Sequence, residues 1–140
     1  MKKLMFAMLI GLFSTALMAQ IAVPAAVKTA FAKKFPTATK VNWGKEAAKE
    51  YEAEFTLDGS PISANFAEDG TWLETEKMIK SADLPKAVAA AIQSKYSGWV
   101  IAEADQTETA KHGRIYEADL KKGKEKKSAA FKEDGTPVKE

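Results

Sequence analysis

Cysteine is absent from the 140 residues, histidine occurs once, and only one apolar run is long. The first absence excludes disulfides and thiolate metal sites. The second leaves His112 alone, so no multi-histidine metal site can form within one chain. An excess of charge is missing too. The chain has 21 basic and 19 acidic residues, and two of the bases, Lys2 and Lys3, precede the apolar run. Without them the remainder is formally neutral, and composition offers no basic surface for phosphates. No nucleic-acid partner is expected.

The apolar run extends from Leu4 to Leu17 without a charge, behind the short positive segment Lys2-Lys3. Small Ala19 then precedes Gln20. This is the pattern of a secretory signal peptide over residues 1–19, cleaved near Ala19/Gln20. The run is shorter than the ~20 residues a membrane span needs. A periplasmic or secreted protein is expected, without stable membrane insertion after cleavage. The absence of cysteine near the cut excludes a lipid-anchored version of the signal.

A repeat organises the rest of the chain. Val23-Pro24-Ala25-Ala26-Val27 aligns with Leu84-Pro85-Lys86-Ala87-Val88, and Phe-x-Glu-Asp-Gly-Thr occurs at both Phe66 and Phe131. Val27, Phe31 and Phe35 are mirrored by Val88, Ile92 and Tyr96 at helical spacing. Each helix has a proline at its start, where a missing N–H costs nothing, and Asp83 is placed to cap the second. Phe35-Pro36 and Ser97-Gly98 supply the stops.

After each helix the period changes to two. Tyr51, Ala53, Phe55 and Leu57 alternate with polar residues, as do Tyr116, Ala118 and Leu120. Asp58-Gly59 is a two-residue hairpin signal. Centring on it pairs Leu57 with Ser60, Phe55 with Ile62, Ala53 with Ala64 and Tyr51 with Phe66, apolar against apolar throughout. Lys122-Gly123 is the matching turn of the second copy, which pairs Tyr116 with Ala129 and Asp119 with Lys126. The helix offset is 61 and the strand offset 65, so about four residues are inserted, most simply in the polar loop Thr107 to Gly113. The Glu-Asp-Gly-Thr segments turn the third strand of each unit into a fourth, Trp72 to Ile79 and Pro137 to Glu140.

The expected fold is α+β: a tandem repeat of a helix plus a four-stranded antiparallel sheet, αββββ twice, with the helices covering one sheet face. Residues 20–80 form the first repeat and 81–140 the second, packed as one compact domain. Whether the two sheets join is left open.

Phe35-Pro36-x-Ala38, Val41-x-Trp43, Tyr51-x-Ala53-x-Phe55 and Phe66-x-x-x-Gly70-x-Trp72 resemble the PepSY-like, β-lactamase-inhibitor-like family of exported bacterial proteins. Leu84-Pro85, Tyr116-x-Ala118-x-Leu120 and Phe131-x-x-x-Gly135 carry the likeness into the second copy. The resemblance implies tandem helix-plus-sheet units and a periplasmic or secreted protein that binds other proteins or has no known role. The departures are plain. β-Lactamase inhibitory proteins carry disulfides, which this chain cannot form, and the second copy has Pro137 where Trp72 stands and Ala104 where Trp43 stands.

No catalytic constellation is legible. Nucleophilic catalysis needs a nucleophile with an activating base, and none of the serines sits in a Gly-x-Ser-x-Gly elbow. No enzyme activity, cofactor or metal is expected. Calcium at the Glu-Asp-Gly turns lacks the six to eight oxygen ligands such a site wants. The expected function is a non-enzymatic protein-binding or inhibitory module whose partner is another periplasmic or secreted protein. The alternative is cation or small-ligand sensing through an acidic sheet face. Candidate partner-binding residues are Trp72, because tryptophan anchors interfaces, and the alternating acids Glu50, Glu52, Glu54, Glu117 and Asp119. For the acids, the competing reading is an ordinary solvated face.

Overall fold

The computed structural model describes residues 21–138. The leader expected at 1–19, its cleavage point and the last two residues lie outside them. Helix α1 (Ala25–Lys34) is followed by strands β1 (Thr39–Ala47), β2 (Glu50–Leu57), β3 (Ser60–Ala67) and β4 (Trp72–Ile79). A 3-10 turn at Ser81–Asp83 leads to helix α2 (Lys86–Lys95) and strands β5 (Val100–Thr109), β6 (Gly113–Lys122) and β7 (Glu125–Phe131). The strands form one antiparallel sheet in chain order, β1 to β7. The two halves therefore join edge to edge, with β4 pairing β5 from Glu74↔Thr109 to Ile79↔Ala104.

Both helices pack on the same sheet face. Val27, Phe31 and Phe35 of the α1 segment meet Tyr51, Ala53, Phe55, Ala64 and Phe66. Phe31 is the hub, with ring centroids 5.0 Å from Phe55, 5.2 Å from Trp43, 5.5 Å from Phe35 and 6.2 Å from Phe66. In the other half Val88 and Ile92 of α2 meet Leu84, Ala104, Tyr116, Ala118, Leu120 and Phe131. The alternation that buries one side of each strand leaves the other side free of helices.

The Asp58-Gly59 hairpin has the expected register at every pair. Both turn residues have positive φ, 50° and 78°, as a type I′ turn requires. The second hairpin differs. Lys122 pairs Glu125, Tyr116 pairs Phe131 and Asp119 pairs Ser128, so the turn is Gly123-Lys124, one residue later than expected. Gly123, at φ 62°, takes the first central position, where the first half has Asp58.

Three other expectations are corrected. Asp83 does not cap α2; it lies in the 3-10 turn, and Pro85 occupies the cap position without a side-chain bond. The extra residues of the second copy do not make a loose loop, because β5 runs on to Thr109 and β6 starts at Gly113, lengthening a hairpin. His112 sits in its three-residue turn, its N–H donating to Thr109 Oγ1 at 2.9 Å. Finally, the second αββββ unit is incomplete among the described residues. Where Phe66 pairs Trp72 at the start of β4, Phe131 meets Pro137 in an isolated bridge, and no strand follows. Proline lacks the N–H that a ladder needs.

The two Glu-Asp-Gly-Thr turns match bond for bond. Asp69 Oδ1 accepts from the Thr71 N–H at 2.8 Å, and Asp134 Oδ1 from the Thr136 N–H at 2.9 Å. Those bonds hold both carboxyls below their ordinary range. The aspartates thus serve the turn, as the turn reading requires. Each glycine also abuts a helix. A Cβ at Gly70 would lie 2.7 Å from the Ala26 carbonyl oxygen, and one at Gly135 2.6 Å from that of Ala87. Each turn is seated on the first turn of a helix, so these glycines are required for close approach as well as for positive φ.

Candidate functional site: an acidic sheet face

The strand alternation that sends Tyr51, Ala53 and Phe55 into the core sends Glu50, Glu52 and Glu54 to the helix-free side. On β6 the same parity puts Glu117 and Asp119 there, opposite the core set Tyr116, Ala118 and Leu120. Strand pairing then aligns residues across the sheet. Glu52 is opposite Asn65, and Asn65 is opposite Glu74. Glu76 is opposite Thr107, and Asp105 opposite Glu117. Glu103 faces Asp119 at the next step. Adjacent strands lie about 4.8 Å apart, so carboxylates from β2, β4, β5 and β6 crowd one surface.

The crowding is visible in the acids' proton affinities. Burial, then the neighbouring charges of Glu54, Glu46 and Glu74, pushes Glu52 up to about 7. Burial together with Glu74, Glu117, Asp105 and Glu52 pushes Glu76 up to about 8. Glu117 rises to about 7, chiefly through burial, despite accepting from Thr107 Oγ1 at 2.8 Å. Glu50, Glu74 and Asp105 are raised for the same two reasons. Although no helix covers this side, Thr107, Ile115 and Glu117 are buried on it.

Asn65 lies at the centre of one row, 9% exposed. Its Nδ2 donates to Glu74 Oε1 at 3.2 Å, while its buried Oδ1 has no donor. At the β1 side Gly44 lies beside Glu52, where a Cβ would make ordinary contact with Oε2 at 3.6 Å. Towards the far edge basic residues reach the same face, where Lys121 pairs Lys126 across β6 and β7. Ser128 Oγ donates to Asp119 Oδ1 at 2.5 Å. Among the described residues no three histidine, cysteine or acidic side chains are placed to hold one metal ion.

Of the residues singled out from sequence, the structure brings Glu50, Glu52, Glu54, Glu117 and Asp119 to one face and puts Trp72 on the other. A bulge is the reason. Asn65 pairs Glu74 but Phe66 pairs Trp72, so Leu73 is the extra residue and Trp72 turns towards the helices. There it packs half-buried against the first core cluster, donates from Nε1 to Thr75 Oγ1 at 2.9 Å, and carries Lys34 Nζ 3.8 Å above its ring. Sequence reasoning missed Glu74, Glu76 and Asp105. Their signal was present as Glu74-x-Glu76, the same alternation as on β2, but their place beside Glu117 depends on the β4–β5 junction.

The molecule is thus a helix-backed, seven-stranded antiparallel sheet with one helix-free acidic face. The chain belongs to the family described as "Putative beta-lactamase-inhibitor-like, PepSY-like", whose model matches residues 15–58 and 49–136. Solved structures agree. A BLIP-like protein from Bacteroides fragilis is 28% identical, with a TM-score of 0.71 over 83% of this chain and 84% of that one. A DUF2874 family protein from Bacteroides ovatus is 24% identical, with a TM-score of 0.74 over 85% and 86%. A protein from Bacteroides eggerthii described as "putative periplasmic" is 21% identical, with a TM-score of 0.72 over 84% and 86%. No curated protein matches the chain. Among the described residues no helix is long and apolar enough to cross a membrane.

Proposed function

We propose that this protein is a non-enzymatic, exported protein-binding or inhibitory module that acts in the periplasm and receives its partner on the acidic sheet face. The observation that carries this reading is the strand register that gathers Glu52, Glu74, Glu76, Asp105 and Glu117 on one helix-free face, where burial and mutual repulsion raise their proton affinities. Like charges brought together and partly desolvated oppose folding, so packing alone gives no reason to gather them. Perturbed groups concentrated on one surface mark functional sites. A face without a helix is also a large surface left for a partner.

Export is supported by the leader pattern at residues 1–19 and by likeness to a protein described as periplasmic. A non-catalytic role is supported by membership of an inhibitor-like family. A β-lactamase target is not part of the proposal. Trp72 is assigned a packing role, since its ring is occupied by Lys34 and the first core cluster.

Affinity capture from periplasmic extract tests this directly. Wild-type protein, a Glu52→Gln/Glu76→Gln variant and a Trp72→Phe variant are immobilised in parallel. The wild type and the Trp72 variant should retain the same protein, and the glutamine variant should lose it. Retention that ignores the glutamines, or retention of nothing by any of the three, would sink the reading.

A further inference from the structure

We infer that the row Glu52–Asn65–Glu74 is a receptor for a lysine or arginine side chain of the partner protein, with Asn65 Oδ1 as its fixed acceptor. This deepens the proposed protein-binding role of the face and rests on it.

Two independent observations converge on that row. The first is charge. Glu52 on β2 and Glu74 on β4 flank Asn65 in register, and further acids on β4 and β6 add negative potential. The second is an unmet hydrogen bond. Asn65 is nine-tenths buried and anchored through Nδ2 to Glu74 Oε1, which fixes the orientation of its amide. Its Oδ1 lies within the acid row without a donor. A buried acceptor left unpaired costs about 1–3 kcal/mol, and every neighbour in the row is itself an acceptor when ionised. A donor is wanted there, and the carboxylates on either side favour a cationic one over a neutral one.

Chemistry separates the possible cations. A metal ion would need several carboxylates converging on one point, and no three acids among the described residues do so. An ammonium or guanidinium has no such need. Its several N–H donors can reach a carbonyl oxygen and two flanking carboxylates spread over neighbouring strands. Charge complementarity thus favours a partner that projects a basic side chain into the sheet face.

The test is an NMR titration of isotope-labelled protein with an alternating lysine–alanine octapeptide, its glutamine counterpart and calcium chloride. Three variants are compared: Asn65→Ala, Glu52→Gln and, as a rim control, Glu103→Gln. The lysine peptide should shift the amides around Glu52, Asn65 and Glu74, and the glutamine peptide should not. Loss of a charge-assisted hydrogen bond should weaken binding about tenfold in Asn65→Ala. Glu52→Gln, which preserves shape if Asn65→Ala folds poorly, should weaken it several-fold. Glu103→Gln should change it about twofold or less.

Equal weakening in all three variants would reduce the interaction to diffuse attraction and overturn the proposal. So would a saturating calcium response at Asn65, which would make the row a small-cation site. If capture finds a partner that needs the acids but tolerates Asn65→Ala, this inference fails while the broader function stands. If the peptide binds as described but capture finds no acid-dependent partner, the broader function fails instead.

Discussion

Replacing Gly70 by alanine should damage this protein far more than replacing Gly59, although both glycines have positive φ, 88° and 78°. At Gly59 a Cβ would meet nothing within 4 Å, so only the left-handed backbone is penalised, by about 1–2 kcal/mol. At Gly70 the same methyl would be placed 2.7 Å from the Ala26 oxygen and 3.0 Å from its carbonyl carbon. Both are backbone atoms in the first turn of α1 and cannot swing aside. Forcing the turn away from the helix adds about 1–3 kcal/mol, as over-packing usually does. The total for Gly70→Ala is then about 2–5 kcal/mol, a large share of the 5–15 kcal/mol typical of a domain. Gly135, 2.6 Å from the Ala87 oxygen by the same construction, should behave like Gly70. Urea unfolding of all three variants isolates the contact, because the backbone penalty is common to them. At roughly 4 °C per kcal/mol, melting points should separate too. If Gly70→Ala and Gly135→Ala are no less stable than Gly59→Ala, the seating of turn on helix is not a close approach and the added penalty does not exist.

Acidity gives a second expectation. Glu52, Glu76 and Glu117 have folded affinities raised to about 7, 8 and 7, so the folded chain holds protons that the unfolded chain releases above about pH 5. Stability should therefore fall as pH rises from about 5 to about 8, by about 2 kcal/mol after allowance for solvent screening. Glu76→Gln should flatten that slope and raise stability at the alkaline end; denaturation at both pH values checks it, and a slope of opposite sign refutes it. A third concerns the aromatic hub: Phe31→Ala should cost about 3–5 kcal/mol, read by urea unfolding. A loss below about 1 kcal/mol would show that Phe55, Trp43 and Phe66 close over the gap.

The first hairpin was legible because Asp58-Gly59 supplies two adjacent residues suited to positive φ, which leaves one register that buries Tyr51, Ala53 and Phe55 together. In the second, Lys122-Gly123 mimics that signal, but only the glycine takes the special conformation and it comes first. The resulting error moves each partner by two residues. Side-chain parity survives such a slip, so Tyr116 and Ala118 were placed on the correct face against the wrong neighbours. The fourth strand expected over Pro137 to Glu140 is not formed among the described residues, because Pro137 lacks the N–H a ladder needs. The acidic face was half legible: Glu50, Glu52, Glu54, Glu117 and Asp119 followed from alternation, whereas Glu74, Glu76 and Asp105 required the pairing of β4 with β5. That junction spans α2 and has no turn signature, so nothing local in the sequence announces it. The bulge that turns Trp72 towards the helices is equally silent, since Leu73 would suit either side.

Strand order equal to chain order has a consequence for growth. Because β5–β7 continue the sheet from the edge of β4 and leave the order of β1–β3 unchanged, the same extension could in principle be repeated on β7. A sheet of this kind has no geometric end, and any long strand from another molecule could serve as the next one. What terminates it is chemistry: β7 carries Lys126 and Lys127, Lys124 stands in the turn before it, and Pro137 breaks the pattern after Phe131. Charged side chains and proline at the rim make the last strand a poor template for an eighth.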